Sequence, residues 1–226
     1  MKDRSDKWKI YIVGHKKIHE ELMEADRQFN NINYAFLNVG QLDKLENGEK
    51  YHCINQKELP GYTAIGKHWA ESEGIYNIWR SKCYQGLGYI GFLHYDIEFR
   101  LMKKICLGGR TNITRRIQRY ITGKDRAHIS FATYTTRQDY AQKIMADVTR
   151  PDELTGDGRN CYDYIIEDYN VYFGTSYTVD DFFDHKYINL CSCFLMDVNT
   201  FDKMMGFFDW LVVSHKLDVF DTKHQY

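Results

Sequence analysis

Two acidic residues, Asp96 and Glu98, follow an apolar stretch of the chain at a spacing that suits metal chemistry. The preceding residues, Gly86–Leu93 (GLGYIGFL), are typical of a buried strand. Because side chains alternate along an extended chain, the two carboxylates lie on the same side of it. Two oxygen donors placed in this way can share one Mg²⁺ or Mn²⁺ ion that keeps open positions for phosphate oxygens. We therefore predict metal-assisted chemistry on a diphosphate group, with a solvated strand end as the alternative.

A second candidate site follows the first predicted strand, Lys9–Val13 (KIYIV). Gly14 allows a ligand to approach the backbone closely, and the N–H groups at the start of a following helix favour anions. The GxGxxG pattern is absent, so the dinucleotide-binding fingerprint is not indicated. Gly14 and His15 are therefore candidate ligand-binding residues, and a plain strand-to-helix turn is the alternative.

The elements around these residues alternate between the periodicities of strands and helices. This alternation is typical of parallel βαβ units and indicates an open α/β architecture. In such a sheet a ligand binds at the carboxyl ends of the strands, where we expect Gly14-His15 and the segment from His94 and Tyr95 to Glu98. The predicted strands are Lys9–Val13, Asn33–Val39, Gly86–Leu93, His128–Tyr134 and Asn189–Met196; the main predicted helices are Lys16–Phe29, Tyr62–Cys83, Cys161–Phe173 and one capped by Asn199.

One charged pair lies off the apolar stripe of the clearest predicted helix, Tyr62–Cys83. Lys67 and Glu71 are four residues apart, a spacing that brings side chains together on a helix surface. They are interpreted either as a surface ion pair or as part of a polar helix face that lines the predicted ligand site.

The composition limits the class of protein. The net charge of −1 over 226 residues argues against a general nucleic-acid-coating protein. No apolar run is long enough to span a bilayer, and Met1–Lys9 has no signal-peptide core. The six cysteines form no CxxC pair, which argues against a zinc ribbon or a thioredoxin-type motif. Without a secretion signal, reduced thiols in the cytoplasm are expected. We expect one domain over 1–226, with a polar lead over 1–8 and a tail or linker over 217–226 that leads to possible further domains.

The charge is nevertheless separated along the chain. Residues 103–126 hold eight basic residues and one acidic, and residues 152–184 hold nine acidic residues and one basic. The basic segment is interpreted as solvated surface, a phosphate-binding arm or a contact to an anionic surface. Within the acidic segment Asp163, Glu167 and Asp168 lie beside many tyrosines, a combination that suits a sugar-binding cleft or a catalytic base.

Five sequence blocks in this order resemble the capsular-polysaccharide-synthesis type of glycosyltransferase domain, and more specifically its chlorella-virus members that decorate a major capsid protein. The blocks are KIYIVGHK, AESEGIYNIWRS, YIGFLHYDIEF, VYFGTSYTVDDFF and NLCSCFLMDVNTFDKMMGFFDWL, which together extend from Lys9 to about Leu211. The resemblance implies a GT-A fold, a single α/β domain whose central sheet is mixed and mostly parallel and is flanked by helices.

The resemblance also implies a UDP-sugar donor and a Mn²⁺ or Mg²⁺ ion. The DxD motif of the family falls on Asp96-Ile97-Glu98, where Glu98 replaces the second aspartate. Val13, Gly14 and His15 match the block that holds the uridine, and Glu71 matches a glutamate that faces the donor. His94 and Tyr95 belong to the same block as Asp96 and complete the expected donor site.

These observations lead to the expectation of a metal-dependent transferase that moves rhamnose or glucose from a UDP-sugar to a hydroxyl of a glycan or glycoprotein. Asp163, Glu167 or Asp168 would deprotonate the acceptor if the reaction inverts the anomeric centre. Two alternatives stay open, namely a nucleotidyltransferase with the same paired carboxylates and an inactive glycan-binding domain. We expect no nucleic-acid partner, no transmembrane segment and a cytoplasmic location, in the host if the protein is viral.

Overall fold

A computed structural model of the chain describes residues 7–18, 33–66, 69–94, 128–130, 133–135, 161–183, 187–189 and 194–218. The chain divides into two compact units, residues 1–132 with 189–203 and residues 133–188 with 204–226. The first unit holds a six-stranded sheet. That the chain is one functional domain over 1–226 stays a prediction.

The six-stranded sheet confirms the predicted α/β class with a mixed, mostly parallel sheet. The strands of this sheet are β1 (Trp8–Gly14), β2 (Tyr34–Asn38), β3 (Cys53–Asn55), β4 (Tyr89–His94), β5 (His128–Ser130) and β8 (Phe194–Asp197); a separate two-stranded sheet pairs β6 (Thr133–Thr135) with β7 (Tyr187–Asn189). The order in the larger sheet is β3-β2-β1-β4-β8-β5, and the first four of these strands run parallel. Strand β8 runs antiparallel to both of its neighbours.

Helices cover the sheet because its central strands are apolar on both faces, as is usual for parallel strands. Helix α1 (Ala70–Arg80) packs closely on β2 at Gly74, where an added Cβ would lie 2.4 Å from Val39 Cγ1. Helix α4 (Val198–Val213) packs Phe201 against Phe92 of β4, with ring centroids 5.8 Å apart. These contacts close a core whose largest fully buried side chains include Tyr11 and Tyr76.

The remaining helices are α2 (Cys161–Phe173) and the short α3 (Val179–Phe183). The predicted end of α2 before Gly174 is confirmed, since this glycine has a φ of 65°, which favours a residue without a side chain. The predicted cap of α4 by Asn199 is wrong. The helix begins at Val198, and Asp197 Oδ1 accepts a hydrogen bond from Thr200 N at 3.0 Å.

Four other predicted segments differ from the structure. The predicted helix Tyr62–Cys83 is shorter, because residues 62–66 are irregular and bond to side chains of α1. The predicted strands His128–Tyr134 and Asn189–Met196 are each divided between the two sheets. The stretch Gly40–Pro60, predicted to be irregular, contains β3 and two short 3-10 helices over 48–50 and 56–58.

None of the helices in the described part of the chain is both long enough and apolar enough to cross a membrane.

Candidate functional site

A cleft of about 970 Å³ opens at the carboxyl ends of β1 and β2 in the first unit. The position follows from the strand order, because β2 and β3 are added on one side of β1 and β4 lies on its other side. The order of successive strands therefore changes sides at β1. Ligands of open α/β sheets bind in the crevice at such a reversal. The lining residues are Val13, His15, Lys16, Val39, Gly40, Gln41, Leu42, Glu46, Gln56, Lys57, Tyr62, Ala64, Gly66, Glu71 and Glu73.

Three residues predicted for nucleotide binding meet in this cleft, although they are up to 58 positions apart in the chain. Val13 and His15 line it from the end of β1, and Glu71 lines it from the first turn of α1. Gly14 lies between the first two, and its carbonyl oxygen accepts a hydrogen bond from Val39 N at 2.9 Å. The structure therefore brings the predicted β1 and α1 residues to one cavity.

The turn after β2 forms another wall of the cleft. Asn38 is almost fully buried, and its Oδ1 accepts from Gly40 N at 3.0 Å while its Nδ2 donates to Leu42 O at 2.7 Å. Gly40 packs directly on the backbone of His15, since an added Cβ would lie 2.1 Å from the His15 carbonyl oxygen. This turn can approach β1 only because residue 40 has no side chain.

We expect Gly40→Ala to destabilise the protein by about 1–3 kcal/mol, because the methyl group must displace the backbone at His15. If the cleft binds UDP, as the sequence predicts, its affinity should fall about tenfold, equal to about 1.4 kcal/mol, because the cleft wall moves. Calorimetric titration with UDP and thermal unfolding measure the two effects. Gly48→Ala is the matched control, since its added Cβ would come no nearer than 3.3 Å to Cys53 Sγ. Equal behaviour of both variants would contradict the assignment of this wall.

A buried carboxylate, Glu73, holds the third wall of the cleft. Its side chain is buried, with 7% of the residue exposed. Glu73 Oε1 accepts hydrogen bonds from Gln56 Nε2 at 2.9 Å and from the Tyr62 hydroxyl at 3.0 Å, and Oε2 accepts from Ile65 N at 2.8 Å. Three donors therefore compensate the charge, as a buried carboxylate requires.

Asn77 extends this attachment one helical turn further along α1. It is fully buried, its Oδ1 accepts from Thr63 N at 2.8 Å, and its Nδ2 donates to Thr63 O at 3.1 Å and to Glu73 O at 2.9 Å. The irregular segment before α1 is thus held to the helix by side chains on one of its faces. This explains why helical periodicity in that segment does not produce a helix.

Gln56 joins the same network from a 3-10 helix (Gln56–Glu58). Only 2% of the residue is exposed, and its Oε1 is buried with no hydrogen-bond partner among the described residues. The amide orientation follows from Glu73, because a reversed amide would place its oxygen against the carboxylate. Buried acceptors are usually satisfied, so the unused oxygen is an unusual feature of this wall.

The cleft carries charges of both signs. Lys57 Nζ donates to Gln41 O at 3.2 Å, and Lys16 is exposed beside His15. Burial, followed by the hydrogen bond to Glu73, raises the pKa of Tyr62, so this phenol stays protonated at neutral pH and acts as a donor. Lysine side chains beside an apolar pocket suit a ligand with a ring and a phosphate.

The predicted carboxylates of the acidic segment lie on α2, in the second unit. Asp168 Oδ1 forms an ion pair with Lys216 Nζ at 3.1 Å, and 14% of its side chain is exposed. Asp163 and Glu167 are four residues apart on the helix, and Glu167 is exposed. The Asp168 carboxylate is therefore paired with a cation within the second unit.

The same unit contains the expected aromatic side chains. Tyr169 lies with its ring centroid 4.5 Å from Phe173 and 6.1 Å from Tyr177, whose exposed fraction is 55%. Asn170 fixes the following loop, because its Nδ2 donates to Tyr177 O at 2.7 Å and its Oδ1 accepts from Tyr177 N at 2.9 Å. The rings of Tyr169, Phe173 and Tyr177 therefore form one aromatic cluster in the second unit, and its role in binding a sugar stays a prediction.

The predicted metal ligands Asp96 and Glu98, with Tyr95 before them, lie outside the described residues. Strand β4 ends at His94, whose backbone is in register with Val13 of the cleft. Within the described ranges no group of three or more His, Cys, Asp or Glu side chains is arranged to hold a metal ion. The metal assignment to Asp96 and Glu98 thus stays a prediction, as does the phosphate role of residues 103–126, which also lie outside the description.

Sequence reasoning missed Gly40, Gln56, Tyr62 and Glu73 as site residues. A glycine immediately after the second predicted strand was the available signal for the close turn at Gly40. No local pattern pointed to Gln56 or Glu73, since their hydrogen bond joins residues 17 positions apart.

No protein-family model matches this chain, and no curated protein sequence is significantly similar to it.

Proposed function

We propose that this protein is a metal-dependent glycosyltransferase that moves a sugar from a UDP-sugar to a hydroxyl of a glycan or glycoprotein acceptor. Rhamnose and glucose are the favoured sugars, and synthesis of a glycoprotein or a surface polysaccharide is the proposed role. A cytoplasmic location, in the host if the protein is viral, belongs to the same proposal.

The observation that supports the proposal is the cleft at the end of β1, where Val13, His15 and Glu71 meet. Its volume of about 970 Å³ is within the range of small-molecule sites and suits a ligand as large as a nucleotide sugar. The backbone register of Val13 with His94 supports a donor site shared with Asp96, which follows two residues later in the sequence.

The reaction breaks the bond between the anomeric carbon and the diphosphate oxygen and forms a bond from that carbon to the acceptor oxygen. UDP leaves with the electron pair, and the acceptor hydroxyl loses its proton. Asp96 and Glu98 would hold Mn²⁺ or Mg²⁺, which supplies charge neutralisation at the leaving diphosphate. His15 and Lys16 are placed at the end of β1, where a phosphate is favoured by nearby positive charge.

The acceptor side is assigned to α2 by its chemistry. Glu167 is exposed on α2. An exposed carboxylate can accept the proton of a sugar hydroxyl if the reaction inverts. Asp163 and Asp168 are the other two candidates, and the Asp168 carboxylate is paired with Lys216 Nζ.

A donor screen tests the proposal on the full chain. UDP-glucose and UDP-rhamnose are incubated with the protein, with and without Mn²⁺, and released UDP is measured. We expect UDP release from at least one donor, dependent on Mn²⁺ and faster with an acceptor glycan. Release of pyrophosphate from a nucleoside triphosphate would instead identify a nucleotidyltransferase, and the absence of turnover with retained glycan binding would identify an inactive binding domain.

A further inference from the structure

Tyr62 is the only Tyr, Phe or Trp among the described residues that line the cleft. Its hydroxyl donates to Glu73 Oε1 at 3.0 Å, so a buried carboxylate holds the ring at its far end. A tyrosine in a cleft wall combines an apolar ring face with a polar end that can be anchored.

The backbone around Tyr62 is held as firmly as its hydroxyl. Tyr62 N donates to Leu59 O at 3.1 Å, and the next residue, Thr63, donates through its N–H to Asn77 Oδ1 at 2.8 Å. Ile65 N donates to Glu73 Oε2 at 2.8 Å. The ring is therefore positioned before any ligand binds, which lowers the entropy lost on binding.

The chemistry around the ring selects a flat and largely apolar ligand group. Val13 and Val39 also line the cleft, and Leu42 lines it with 56% of its surface exposed. Apolar side chains beside an aromatic face suit a heteroaromatic ring, which stacks on a tyrosine. The phosphate of a nucleotide is negatively charged, and Lys16 and Lys57 line the same cleft.

We propose that Tyr62 is the stacking residue for the nucleobase of the bound nucleotide. The inference rests on the proposed function in one respect, since it takes the cleft to be a nucleotide site. It goes further by naming the nucleobase as the part of the ligand at this wall and Tyr62 as the side chain that contacts it.

Calorimetric titrations of the full chain with UMP and with ribose 5-phosphate test the inference, because the two probes differ by the base. Tyr62→Leu removes the ring face and keeps an apolar wall, and Tyr62→Phe keeps the ring face and removes the hydroxyl. We expect Tyr62→Leu to weaken UMP binding about tenfold, within the range of base stacking on an aromatic side chain. Ribose 5-phosphate should bind all three proteins equally, and Tyr62→Phe should bind UMP within about threefold of the wild type.

An unchanged UMP affinity in Tyr62→Leu overturns the inference, as does an equal loss in Tyr62→Phe, which would assign the effect to the hydroxyl. Thermal unfolding checks that each variant is folded, and Tyr62→Met replaces Tyr62→Leu if the latter is not. Ring-dependent UMP binding without UDP-sugar turnover would leave the stacking residue in place and reject the transferase. Failure of the wild type to bind UMP would reject both proposals.

Discussion

Asp96→Asn is expected to lower Mn²⁺-dependent UDP release from the UDP-sugar by at least about 100-fold, which corresponds to about 3 kcal/mol of transition-state stabilisation. In the proposed metal site, the physical reason is the loss of one anionic ligand from the pair Asp96 and Glu98. The leaving diphosphate then lacks the cation that neutralises its developing charge. Initial rates over a range of Mn²⁺ concentrations, measured on the full chain, provide the test.

The matched control is Asp43→Asn, which makes the same chemical change in the loop after β2. Asp43 is exposed and is not among the residues that line the cleft. Its rate should stay within about twofold of the wild type, because surface substitutions rarely perturb a distant site. A wild-type rate for Asp96→Asn, in a protein with unchanged thermal unfolding, would remove Asp96 from the metal site and require another explanation of the turnover.

Glu73→Ala is expected to lower the free energy of unfolding by about 3 kcal/mol, the largest stability effect of a single polar substitution in the cleft. The substitution removes the acceptor of Gln56 Nε2, of the Tyr62 hydroxyl and of Ile65 N together. Each buried donor left without a partner costs about 1–3 kcal/mol, and water entering the enlarged cleft offsets part of the loss. Urea unfolding followed by circular dichroism measures the change in midpoint.

Two variants separate this network effect from the loss of any carboxylate. Glu58→Ala removes an exposed glutamate near Gln56 and should change the stability by less than about 0.5 kcal/mol. Glu73→Gln keeps one acceptor oxygen and should lie between the wild type and Glu73→Ala. If Glu73→Ala unfolds at the wild-type midpoint, the three hydrogen bonds contribute no net stability and the third wall of the cleft is not held by Glu73.

The local sequence pattern was sufficient for the α/β class and for the strands that form the centre of the sheet. The run from Ile10 to Val13 is apolar and β-branched, and β4 is similar, so both are buried on two faces. The pattern was insufficient at His128–Tyr134, where one apparent strand serves two sheets. A strand of three residues has too few side chains to show a period, so its partner decides whether it forms.

The candidate site was predictable where its residues follow an element boundary. Val13 and His15 lie at the end of an apolar run and line the cleft. In parallel sheets the carboxyl ends of the strands are where ligands usually bind. Gln56, Tyr62 and Glu73 could not be predicted, because a hydrogen bond between residues 11 or 17 positions apart leaves no periodic signal.

By itself the amino-acid sequence determined the α/β class and the central strands, and it indicated the end of β1 as a candidate site, because burial imposes an apolar period that is visible locally. Only the tertiary structure decided which side chains form the cleft. The local sequence places Glu73 in a helix, but only the folded structure shows that its carboxylate accepts a hydrogen bond from the Tyr62 hydroxyl. The reason is that a buried carboxylate must find its donors wherever the fold brings them, and these donors come from distant segments of the chain.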